Sequence, residues 1–133
     1  MVKTAEDLES QLLRLDRKFE RLDDGTTLVR IASNQPPAAL RISEPVLVAQ
    51  VEIGPVPVHG DLAPLLRRLL ELNANSLVHA AYAIAADTIL LVASRELVSL
   101  DLNELEAVLN DFDLALAEHV SELRALSGKA PVS

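Results

Sequence analysis

A chain of 133 residues with a formal net charge of −8, half of it hydrophobic but with only Phe19, Tyr82 and Phe112 aromatic, is the length of one domain with an aliphatic core. The acidic balance argues against nucleic acid and anionic membrane as partners, because both are bound through clustered Lys and Arg. The absence of cysteine excludes a disulfide framework, a thiol nucleophile and any Cys-based metal site.

The N-terminal "MVKTAEDLESQ" is charged at once and lacks the apolar stretch of a signal peptide. No run of ~18 residues is free of polar or turn residues, so a cytoplasmic protein is expected. Thr4 can cap a first helix, with Asp7 as capping-box partner. Leu8, Leu12, Leu15 and Phe19 then recur at spacings of four and three, one apolar helix face. The helix is expected over 4–17, followed by a short strand at 18–22 and a hairpin turn at Asp24-Gly25. "TTLVRIA" alternates and is β-branched, a strand, whereas the prolines of "SNQPPAAL" mark a loop. In the strand "PVLVAQVEI", Leu47, Ala49, Val51 and Ile53 face one side and Val46, Val48, Gln50 and Glu52 the other. "GPVPVHG" breaks it.

Asp61 can cap the second helix, and Pro64 is tolerated in its first turn, where N–H groups have no intrahelical partner. Leu62, Leu65, Leu66, Leu69, Leu70 and Leu72 exceed a single stripe, which predicts a helix buried on two sides. Arg67 and Glu71 are spaced as an i,i+4 pair, and "NANS" ends the helix. Two strands follow, about Leu77–Ala85 and Thr88–Ser94, joined by the turn "AADT". Both faces of this hairpin are apolar, so one should pack on helices and the other meet a partner, unless a loop such as 33–44 folds over it. The alanines Ala80, Ala81, Ala83, Ala85 and Ala86 suit close approach of another backbone or plain close packing. Asp101 and Glu104 form a capping box for a third helix with the core stripe Leu105, Val108, Leu109, Phe112, Leu116, Val120 and Leu123. Its many acids read as a solvated face or as a docking face for a basic segment. The expected fold is α+β, order α-β-β-β-α-β-β-α, an antiparallel sheet with helices packed against it. Residues 1–126 are expected to form one domain and 127–133 a flexible tail.

Catalytic equipment is missing from the sequence. His59, His79 and His119 share no metal-ligand spacing, and no serine lies in a nucleophile elbow. Gly25, Gly54, Gly60 and Gly128 are scattered, so no phosphate-cradling loop forms, and Asp23 and Asp24 lack the further ligands of a calcium loop. No catalytic, cofactor-binding or metal residue is assigned. Surface remains, and extended apolar surface marks a partner interface.

The segments "LLELNA" at Leu69–Ala74, "HAAYAI" at His79–Ile84 and "LDLNEL" at Leu100–Leu105 resemble the second half of the YbjN-like proteins, across about residues 62–124. Those proteins are related in fold to the class I type III secretion chaperones of the Tir-chaperone type. "AADT" departs from the pattern, since such hairpins often carry glycine in the turn. The resemblance implies a non-enzymatic α+β domain that forms homodimers and holds a segment of a protein client. The expected dimer contact is Leu66, Leu69, Leu70, Tyr82 and Ile84; the expected client contact is Leu28, Val46 and Val48. The alternative is a regulatory domain in stress or sensory signalling that binds a folded protein. A third reading, a small-molecule binding domain or enzyme, has no residues assigned to it.

Overall fold

Thr4 and Asp7 cap each other at the start of the chain. Thr4 Oγ1 accepts from the Asp7 N–H at 3.2 Å, and Asp7 Oδ2 accepts from the Thr4 N–H at 3.2 Å and the Lys3 N–H at 3.0 Å. The helix they open, α1 (Ala5–Arg14), buries Leu8, Gln11 and Leu12. It stops short of the expected residue 17, because Asp16 takes a left-handed backbone at φ 58° that a helix cannot continue through. The computed structural model describes residues 2–31 and 35–127. The expected tail therefore falls, apart from Ser127, outside the described residues.

Six strands and two further α-helices follow: β1 (Phe19–Arg21), β2 (Thr27–Val29), β3 (Ala38–Ser43), β4 (Val46–Pro55), α2 (Ala63–Asn75), β5 (Ala81–Ala85), β6 (Thr88–Glu96) and α3 (Leu102–Leu126). A short 3₁₀ turn, Leu97–Ser99, joins β6 to α3. All neighbouring strands are antiparallel, in the order β1-β2-β3-β4-β6-β5, so β1 and β5 are the edges. The architecture is the α+β sheet with packed helices that the sequence predicts, with one strand more than was read from it. That strand is β3. Its first residues, Ala38 to Leu40, lie in the stretch read as a loop because of Pro36 and Pro37. The prolines end just before the ladder starts, where Ala38 pairs with Val29. Residues 38–43, part of the loop offered as the alternative cover for the sheet, instead widen it.

Alternation sorts each strand. Leu47, Ala49, Val51 and Ile53 of β4, Leu40 and Ala38 of β3, and Ile89, Leu91 and Ala93 of β6 are buried on one face. Leu65, Leu69 and Leu72 of α2 and the whole expected stripe of α3, including the fully buried Phe112, close over them. Leu66 and Leu70 remain exposed, so α2 is buried on one side only. Asp61 still serves its start, accepting from the Ala63 N–H at 3.0 Å. Residues 77–80 are not strand, contrary to expectation. The β5–β6 turn is built on Ala86 and Asp87 at φ 48° and 60°, two positive values that define a type I′ hairpin without glycine.

Half of the acids of α3, Glu104, Asp113 and Glu122, meet an arginine from elsewhere in the chain. Arg17 makes a two-pronged contact with Asp113, at 2.7 and 3.4 Å. Arg68 of α2 reaches Glu122 at 2.7 Å, and Arg95 of β6 reaches Glu104 at 3.3 Å. The α1–β1 connection, α2 and β6 are thereby tied to α3, and its acidity is not simply a free docking surface. Among the described residues no helix is long and apolar enough to cross a membrane.

Candidate protein-interaction surfaces

Where α2 lies along the edge strand β5, a groove of about 300 Å³ is lined by Leu66, Leu69, Leu70, Asn73, Tyr82, Ala83 and Ile84. The five residues expected at a dimer contact all border it. They differ in exposure: Leu69 and Tyr82 are each 5% exposed and form the floor, while Leu66 (39%), Ile84 (43%) and Leu70 (69%) form the lips. The helix spacing of three and four puts the leucines on one flank of α2, and Tyr82 and Ile84 share the helix-facing side of β5. Arg67 and Glu71, 3.5 Å apart, flank the leucines on the exposed surface of α2.

The floor is held from beneath by polar contacts. The Tyr82 hydroxyl lies 2.9 Å from Nδ1 of the buried His119. Burial, reinforced by the negative charges of Asp111 and Glu122, raises the Tyr82 phenol above its ordinary range, so it stays protonated, and the direction of its bond to Nδ1 follows the His119 tautomer. Asn73 of α2 grips the Tyr82 peptide twice: its Oδ1 accepts from the Tyr82 N–H at 2.7 Å, and its Nδ2 donates to the Tyr82 carbonyl at 3.1 Å. Behind the strand, buried Asp111 accepts from the His79 N–H at 3.0 Å, and Arg95 Nη2 lies 2.7 Å from His79 Nδ1. A guanidinium only donates, so His79 Nδ1 accepts here and the proton of the neutral ring sits on Nε2. His79 lies in the α2–β5 connection and not within the expected strand, while His119 does stand beside Glu118 on α3; both brace the α2–β5 region.

The second surface is the sheet face opposite the helices. One cross-strand row on it reads Ala81, Val92, Gln50, Ala39, Leu28, Glu20, from β5 to β1. Neighbouring rows carry Ala83, Leu90 and Glu52, and Ser94, Val48 and Arg41. Leu28, Val46 and Val48 all lie on this face, partly exposed. They are not one cluster: Val46 and Val48 adjoin along β4, while Leu28 sits two strands away beyond Ala39, near Phe19 and Pro37.

No group of three or more His, Cys, Asp or Glu placed to hold a metal occurs among the described residues. Asn73, Asp111 and Arg95 were not singled out from the sequence. Asn73 stands inside "LLELNA", but nothing local marks its partner nine residues on; His79 finds Asp111 and Arg95 at separations of 32 and 16 residues.

This arrangement, three helices on one face of a six-stranded antiparallel sheet with no helix over the other face among the described residues, is the class of the type III secretion chaperone fold. Residues 1–129 match the family model CesT_Tir_1, and the chain belongs to that family. Among solved structures it is similar to a chain of the heterodimeric ExoU–SpcU complex from the type III secretion system of Pseudomonas aeruginosa, with TM-score 0.68 and 21% identity over 92% of this chain and 99% of that one. It is similar to YbjN from E. coli, with TM-score 0.62 and 16% identity over 88% and 94% of the two chains. The Yersinia pestis type III secretion chaperone SycH complex with a fragment of YscM2 gives TM-score 0.55 and 22% identity over 87% and 95%. The fold is thus YbjN-like and chaperone-like. No curated protein matches the chain.

Proposed function

We propose that this chain is a non-enzymatic protein-binding module, a chaperone-like homodimer that holds a segment of a partner protein. The observation that carries the reading is the α2–β5 groove. Its lips are aliphatic and its floor is Leu69 and the Tyr82 ring, and apolar surface on the outside of a small domain is the mark of an interface. The same patch offers protruding side chains, Leu70 and Ile84, and a hollow to receive them, as a two-fold contact requires. The flanking Arg67 and Glu71 fit that symmetry, since two antiparallel copies of α2 would set each arginine near the other copy's glutamate. With the groove used for dimerisation, the bare sheet face with Leu28, Val46 and Val48 is left for the client. The ExoU–SpcU and SycH–YscM2 complexes, in each of which a chain of this fold is bound to another protein, support a partner-holding role. A cytoplasmic location goes with this reading.

Light scattering at micromolar concentration should report a dimer, and Leu66→Arg should weaken it by about 100-fold or more, because the new charge would be buried without a partner. A monomeric wild type ends the dimer reading. For the client, capture of an unfolded N-terminal segment supports the chaperone role; a partner held only while folded would point to a regulatory domain instead.

A further inference from the structure

The edge strand β5 has a free side, and a free side is a template for an added strand. Tyr82 shows how that side is occupied. It stands opposite Leu91 of β6, yet both its N–H and its carbonyl are bonded to the Asn73 side chain, so they point away from β6. Alternation along a strand then turns the backbone groups of Ala81, Ala83 and Ala85 toward β6 and those of Ile84 outward with Tyr82. Outside the ladder, no backbone partner serves Ile84 among the described residues. The β5 edge therefore exposes two outward positions, and the carboxamide of Asn73 fills one of them with the donor and acceptor that an incoming strand would supply.

We propose that Asn73 is an edge guard: it closes β5 to strand addition, so the groove accepts a second copy of this chain through side chains only. The second copy as occupant rests on the dimer reading above; the guarding of the edge does not. A strand approaching β5 would find Ile84 as its single open pairing site, too little to set a register. It would also have to displace two hydrogen bonds that hold α2 to the sheet. The apolar groove beside the edge makes such a guard useful, because open backbone next to aliphatic side chains is the combination that drives edge-to-edge association.

The test compares wild type with Asn73→Ala by light scattering over a concentration series, with amide exchange read at Tyr82 and Ile84. The inference expects Asn73→Ala to form species larger than wild type that grow with concentration, with Ile84 exchange slowed about tenfold or more in them. Equal sizes across the series, or growth with Ile84 exchanging as in wild type, overturns it. Should Asn73→Ala fail to fold, Asn73→Ser is read by the same criteria, since its short hydroxyl cannot span both groups of the Tyr82 peptide. A monomeric wild type would end the dimer reading but leave this comparison intact, because the guard is judged by the difference between variant and wild type.

Discussion

The two faces of the sheet are made by the same strands and differ by one residue of register. On the covered face Leu40, Ala49, Val51, Ile89 and Leu91 are each no more than 1% exposed. On the bare face Leu28, Val48, Leu90 and Val92, side chains of the same chemistry, are only partly buried. The difference lies in what stands over them. Three helices bring Leu8, Leu12, Leu65 and Phe112 onto one side, and among the described residues no helix covers the other. Aliphatic content alone does not distinguish a core from an interface; the cover does.

The sharpest way to break this comparison is to truncate one side chain on each face. Phe112→Ala should cost about 3–5 kcal/mol of stability, because a fully buried ring leaves a cavity. Val92→Ala on the bare face should cost under about 1 kcal/mol. Denaturant unfolding measures both, and similar losses would mean that the bare face is covered. A smaller effect sharpens how the cover is attached. Arg17→Ala removes the contacts to Asp113 and Asn110, and should cost about 1 kcal/mol or less, shrinking in high salt because the pair is partly solvated. The smallest effect belongs to the rim. The backbone N–H of Lys3 foremost, then the backbone and hydroxyl of Thr4, hold the Asp7 carboxyl below its ordinary value. A lowered folded value means that its contribution is present at neutral pH and fades as the pH falls through and below about 3.9. Amide exchange in the first turn of α1 should quicken over that acid range, and Asp7→Asn should remove the dependence.

Much of this was legible because it is periodic. The alternation of Leu47, Ala49, Val51 and Ile53 needs no neighbour to be read, and neither does the stripe of α3. The groove residues were legible for a related reason: Leu66 and Leu70 exceed what one buried stripe requires. β3 was hidden because Ala38 and Ala39 follow two prolines, and local propensity outweighed a ladder that only β2 and β4 reveal. The Asn73–Tyr82 clasp and the His79–Arg95–Asp111 brace were not legible at all. They join residues that meet only after α2 and α3 have packed, and no local pattern encodes such a meeting.

The turn at Ala86 and Asp87 places two ordinary residues in left-handed backbone, a geometry that glycine or asparagine adopts readily and alanine resists. Such a turn is a weaker nucleus for a hairpin than one built on asparagine and glycine. It is imposed by the pairing of Ala85 with Thr88 and by whatever holds β5 in place. Cut free, the segment from Ala81 to Glu96 would not keep its shape, and anything that lifted the second helix off the sheet would dissolve the strand beside it.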